Sequence, residues 1–194
     1  DPSNKISKSS DINVKSGKIQ HGKLENGMNV YVIENHRVPA VMHMLWYKVG
    51  SFDDPAGYSG LAHYLEHLMF EGTVKYPDFS YKILEIGGSF NAMTSYDFTA
   101  YHELVRKEDL SLVMEMEADR MRNLKINPKS ALKEKNVVLE ERKMRIDNVA
   151  ESILDEEMMH SFFHSNYSIP VIGWEREIEA FDDKIAKKFY NKYY

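Results

Sequence analysis

Residues 60–72 read GLAHYLEHLMFEG. On an α-helix, residues four apart lie on one face, about one turn along. His63 and His67 can therefore aim two imidazoles at a common centre. Glu66 lies three residues after His63 and one before His67, so it borders the same face. Two neutral imidazoles with a carboxylate beside them are what a catalytic zinc site needs from one helix: two ligands and a base for water. The same residues have an ordinary reading. A His on an apolar helix is commonly a core or surface residue, and a pair at helical spacing can arise by chance in a chain with eight His. The zinc reading requires a third ligand from elsewhere in the chain.

Composition narrows the candidates for that ligand. There is no Cys among the 194 residues, so any metal must be held by His and carboxylates. Hydrophobic residues make up 43% and charged residues 28%, as in an ordinary globular domain. A net charge of −5, with basic and acidic residues mixed, leaves no nucleic-acid footprint. No apolar run is long enough to cross a membrane. Residues 1–19 are polar and read as a flexible N-terminal arm without the apolar core of a signal peptide. The chain begins at Asp1 rather than Met, which suggests a removed leader or a segment of a longer protein.

Outward from the histidine stretch, the pattern is strands, helices, strands, then mostly helix. Asn26-Gly27 between apolar runs predicts a hairpin into a strand over 30–33. Residues 41–49, with Trp46 and Tyr47, predict another strand. Residues 50–59 read as a loop, with Ser59 as N-cap of a helix over 60–70. Asp78 is a candidate cap for a helix over 79–86, stopped at Gly87-Gly88. Strands are expected near 89–94 and 98–105, and helices over 107–124, 153–163 and 182–194. Asn127-Pro128 opens the longest helix, reaching about residue 148. The order predicts an α+β fold, a largely antiparallel sheet packed by helices, with no domain boundary between 20 and 194.

The long helix carries the candidate third ligand. Glu134 and Glu141 are seven apart, nearly two full turns, and share a face on which Val137 and Val138 also lie. Glu140 points a quarter turn or more away. If a carboxylate here completes a zinc site, helical phase favours Glu141, with Glu134 one layer behind. The competing reading is a solvated face with Glu141 and Arg145 paired at i, i+4. From spacing alone, both stand. His160 and His164 are also four apart but lack a Glu directly before the second His. His102 beside Glu103 lacks a helical partner.

These motifs together resemble the pitrilysin, insulinase and mitochondrial processing peptidase family of zinc metallopeptidases, the inverzincins. Residues 63–67 match its inverted His-x-x-Glu-His helix. Glu141 follows His67 by 74 positions, and Glu134 stands seven before it. LENGMNV at 24–30, GGSFNAMT at 87–94 and IGW at 172–174 match further family segments. The resemblance covers residues 20–194 and is strongest to the bacterial zinc proteases and the processing peptidase β-type subunit.

It implies that His63, His67 and Glu141 hold Zn2+, that Glu66 is the general base and that Glu134 supports the site. It also implies that peptide substrate lies as an added strand along Phe90, Asn91 and Ala92. The implied activity is zinc-dependent endopeptidase cleavage of extended or unfolded peptides; the alternative is a peptide-binding or partner-docking module without activity in isolation. Family members pair this half with a second half-domain or partner subunit, so residues 20–194 are expected to be the catalytic N-terminal domain of a longer two-domain chain, in an assembly that could include a dimer. Neither nucleic acid nor a membrane-spanning segment is expected. The bacterial branch points to export to the periplasm, with mitochondrial matrix or cytoplasm as alternatives.

Overall fold

A computed structural model describes residues 6–14 and 17–194. These divide into two compact units between Pro39 and Ala40. The first is a three-stranded antiparallel sheet of β1 (Ile6–Val14), β2 (Gly17–Leu24) and β3 (Asn29–Ile33), in that order. The expected arm over 1–19 is thus corrected over 6–14 and 17–19, which form β1 and the start of β2, paired from Ile6↔Leu24 to Val14↔Gly17. Polar composition hides such a strand, because backbone hydrogen bonds hold a ladder whatever the side chains. The rest of the arm, 1–5 and 15–16, lies outside the described residues. The Asn26-Gly27 turn joins β2 to β3 as expected. Gly27 takes φ 90° and the Asn26 carboxamide accepts from Met28 N at 3.0 Å.

The second unit is α+β. Its sheet contains β4 (Ala40–Tyr47), β5 (Ser89–Thr94) and β6 (Thr99–Arg106) in the order β4-β6-β5, antiparallel throughout. Leu45, Tyr47, Tyr101 and Val105 turn one face inward. Met42, Met44 and Trp46 alternate onto the other face and are about half exposed. The helices are α1 (Leu61–Leu68), α2 (Phe79–Glu85), α3 (Leu110–Asn123), α4 (Pro128–Arg142), α5 (Ala150–Phe162), α6 (Glu175–Glu179) and α7 (Asp183–Tyr193). Asp78, Asn127 and Asp182 cap α2, α4 and α7 with their side chains. α4 continues into one wider π turn over Lys143–Asp147, and α6 has no counterpart in the sequence reading.

α1 is the central element. Leu61, Leu65 and Leu68 are fully buried between the sheet and α4, α6 and α7; each such side chain contributes about 1.5–3 kcal/mol on leaving water. Ser59 is not its cap. Gly60 holds the N-cap position at φ 85°, and the first turn is satisfied from outside the helix. Asp54 Oδ2 accepts from Gly60 N and its Oδ1 from Ala62 N, both at 2.8 Å. The Ser59 hydroxyl accepts from Trp174 N instead, at 2.9 Å. A chain must fold back on itself to bring a cap from six residues away, which is why local pattern pointed to Ser59.

The far end of α1 rests on a buried charge cluster. Arg120 on α3 is fully buried; it forms a forked ion pair with Glu117 and reaches Glu103 on β6 at 3.3 Å. Its other nitrogen donates to the Met69 carbonyl at 3.4 Å, just past α1. The guanidinium lies 3.8 Å from the Phe79 ring centre and 4.6 Å from that of Tyr101. His43 completes the cluster through Glu103 at 3.0 Å. Burial raises Glu103 to about 7. Burial also opposes ionisation of Glu117, but Arg120 outweighs it and holds that carboxyl below its usual range. His43, Glu103 and Glu117 could together face a metal, but Arg120 already engages both carboxylates. Arg120→Ala is expected to lower unfolding free energy by about 3–5 kcal/mol, because it strands two buried carboxylates. Urea denaturation measures this, and an unchanged midpoint would contradict it.

Candidate metal centre

α1 presents His63, Glu66 and His67 because its opposite face is pinned. Tyr64 donates its hydroxyl to the Ala131 carbonyl of α4 at 2.6 Å and stacks on Phe181 at 4.9 Å. α4 runs beside it, with Val138 fully buried at the contact. Val137, expected on the same side, is 42% exposed. The inward stripe follows Glu134, Val138 and Glu141 at steps of four and three, and that stripe brings both carboxylates to α1.

Three side chains converge between the helices. His67 Nε2 lies 3.2 Å from Glu141 Oε2, and His63 Nε2 lies 3.7 Å from the same oxygen. The two rings stand 4.8 Å apart at 83°, and the donor atoms of all three residues fall within 4.8 Å of one another. Glu140 does not join them; it pairs with Lys143 at 2.9 Å. Glu134 Oε2 approaches His67 Nδ1 at 3.4 Å, on the ring edge away from Glu141. A carboxylate on the outer nitrogen of a ligating His fixes ring orientation and raises basicity. Glu66 is buried and accepts from the Thr94 hydroxyl of β5.

The electrostatics suit a cation. Burial, with His67 beside it, lowers His63 to about 4, so that ring is neutral with a free lone pair. Its Nδ1 is buried with no hydrogen-bond partner among the described residues. Burial lowers His67 too, but Glu134 and Glu141 outweigh it and lift the ring to about 9. Glu141 is held below the usual carboxylate range, first by its hydrogen bond to His67. Burial raises Glu66 despite the Thr94 bond. Two imidazoles and one carboxylate within mutual reach, with no thiol, fit a three-ligand zinc site.

The family model described as insulinase (peptidase family M16) matches residues 29–173. The chain belongs to the insulinase family. Zinc protease PqqE of Helicobacter pylori is 33% identical over 175 residues, 88% of this chain and 39% of that protein. An uncharacterized zinc protease of Streptomyces coelicolor is 30% identical over 181 residues, 92% of this chain and again 39% of the relative. The chain thus spans about two fifths of the length of these curated relatives. The crystal structure of a protease from Helicobacter pylori superposes with a TM-score of 0.83 at 29% identity, over 97% of this chain and 44% of that one. Pitrilysin superposes at 0.75 and 27% identity, over 97% of this chain and 20% of its own.

In this insulinase-family chain, Phe90, Asn91 and Ala92 lie on β5, an edge strand of the described sheet. Phe90 turns inward against Phe70, ring centres 5.2 Å apart; Asn91 is exposed, and its side chain accepts from Ala92 N at 2.9 Å. His102 and Glu103 stay away from the centre, and His160 packs edge-on to Trp174 at 5.4 Å. Two neighbours of the centre, Thr94 and Lys133, were not singled out from the sequence. Thr94 holds Glu66; its signal was the GGSFNAMT motif itself. Lys133 bridges Glu71 at 2.8 Å and Glu134 at 3.0 Å. Arg145 binds Glu141 Oε1 at 2.7 Å while Oε2 faces the imidazoles, so the surface pair and the inward carboxylate coexist.

With His67 near 9, a metal entering at neutral pH must displace its proton, whereas His63 near 4 and Glu141 have none to give. Calorimetric Zn2+ titrations in buffers of different ionisation enthalpy are expected to report about one proton released per zinc at pH 7, shrinking as the pH approaches 9. A binding enthalpy independent of buffer at pH 7 would contradict this.

Proposed function

We propose that this chain is the catalytic portion of a zinc endopeptidase that hydrolyses peptide bonds in extended or unfolded peptides. The observation that carries the reading is the convergence of His63, His67 and Glu141 with Glu66 beside them. His63 and His67 would hold zinc through their ring nitrogens and Glu141 through Oε2. Zinc supplies the positive charge that acidifies water and polarises a peptide carbonyl.

Glu66 takes a proton from the attacking water and passes it to the leaving amine. Its burial raises its affinity for that proton, and the Thr94 hydroxyl holds the carboxylate in place. Glu134 orients His67 through Nδ1, and that bond together with Lys133 outweighs burial and keeps Glu134 ionised. Arg145 anchors the outer oxygen of Glu141. Substrate is read as an added strand along β5 at Phe90, Asn91 and Ala92, held by main-chain hydrogen bonds. A cavity of about 480 Å³ opens beside His67, between Phe70, Phe90 and Glu134, and admits a substrate side chain.

The relatives are more than twice as long as this chain, so a second half-domain or partner subunit would close the cleft. That length supports a second reading, a peptide-binding module that is inert in isolation. The two are separated by assaying an unfolded peptide with the 194-residue chain alone and with its longer parent. The expected result is weak or no cleavage by the chain, chelator-sensitive cleavage by the parent, and one zinc bound in both. Glu66→Gln in the parent is expected to keep zinc and to lose about 10²–10⁴-fold in rate. Cleavage at the wild-type rate by Glu66→Gln would overturn the assignment of the base. A parent that binds zinc yet never cleaves would leave the binding reading.

A further inference from the structure

Arg142 follows Glu141 on α4 but turns away from the centre into the protein. Its side chain is 8% exposed. Nη1 and Nη2 meet Glu156 Oε1 and Oε2 of α5, each at 3.0 Å. Nη2 also meets Asp147 at 3.2 Å, so the guanidinium is locally neutralised. Nη1 donates in addition to the Gly173 carbonyl at 2.6 Å, and the group lies 5.7 Å from the Trp174 ring centre.

Gly173 touches the start of α1. A Cβ added to it would stand 2.2 Å from the Ser59 carbonyl oxygen, and one added to Gly60 would stand 2.3 Å from that of Ile172. Only glycine lets the two backbones approach so closely, and both carry φ above +80°. Trp174 N donates to the Ser59 hydroxyl at 2.9 Å, and Ser59 N donates to Glu177 at 2.7 Å. The first bond of α1 runs from Tyr64 N to Gly60 O at 2.8 Å, one residue after His63. A continuous line of contacts therefore joins the residue after Glu141 to the turn that carries His63. None of its members belongs to the donor set.

We propose that Arg142 is a positioning residue for the metal centre: by clamping the last turn of α4 onto the Gly173 backbone, it fixes how far Glu141 sits from His63. The inference rests on the zinc reading above. It differs in sign from a plain charge effect. Removing a cation near the site would strengthen binding of a dication, whereas loosening the clamp weakens it.

The test measures zinc affinity of the full chain by competition with a chromophoric chelator, with thermal unfolding and the visible spectrum of the Co2+-substituted protein in parallel. Arg142→Met is expected to unfold cooperatively, to lose about 10–100-fold in zinc affinity and to show an altered cobalt spectrum. Arg142→Lys, which keeps a donor for Gly173 O without the fork, recovers part of the loss. Gly173→Ala changes no charge and is expected to show the same loss through the Ser59 collision; Glu156→Gln shows a smaller one.

If folded Arg142→Met keeps wild-type affinity and an unaltered cobalt spectrum, or binds more tightly, the inference is overturned while the zinc reading stands. If Arg142→Met does not fold, the same two readouts on Gly173→Ala and Glu156→Gln decide: loss supports the clamp and wild-type behaviour overturns it. A wild-type chain that takes up no zinc overturns the zinc reading and this inference with it.

Discussion

Tyr64 lies on the buried face of α1, and its hydroxyl meets the Ala131 carbonyl of α4 at 2.6 Å. The α1–α4 packing that this bond marks is the constraint on which the site depends. α1 carries two imidazoles and a carboxylate, α4 carries two carboxylates, and neither helix alone has a complete donor set. Apolar burial of Leu61, Leu65, Leu68 and Val138 presses the helices together, and directional bonds then set their phase. Hydrophobic packing is non-directional, so the phase must come from polar contacts. Asp54 at one end of α1, Arg120 at the other and Tyr64 between them supply it.

Much of this was legible because helical phase is periodic. The spacing of His63 and His67, and of Glu134 and Glu141, already placed each pair on a common face. Asn26-Gly27, Asp78 and Asn127-Pro128 marked turn and caps correctly because their chemistry is local. What escaped was non-local. The cap of α1 comes from Asp54 across a loop, and Ser59 binds Trp174, more than a hundred residues away. Val137 shows the limit of phase itself. Positions 137 and 138 both sit near the inward stripe, and tertiary contact with α1 selected Val138. β1 was read as an arm because composition records polarity and not ladder pairing.

The site also shows how one carboxylate can satisfy two readings. Glu141 forms the i, i+4 pair with Arg145 that a solvated helix face predicts, and it uses its other oxygen toward the imidazoles. Pattern alone could not separate the alternatives because they are not exclusive. The insulinase-family match extends over residues 29–173 and so takes in both helices that build the centre. The same chain covers about two fifths of its curated relatives. The three candidate donors, His63, His67 and Glu141, all lie within this chain.

On the proposed reading, α1 and α4 together bind one zinc through two imidazoles and one carboxylate. X-ray absorption at the zinc edge of the loaded chain is the sharpest test. One zinc per chain is expected, with two imidazole scatterers at about 2.0–2.1 Å and the remaining ligands oxygen. A spectrum with a single imidazole or none, or zinc spread over weak surface sites, would contradict it.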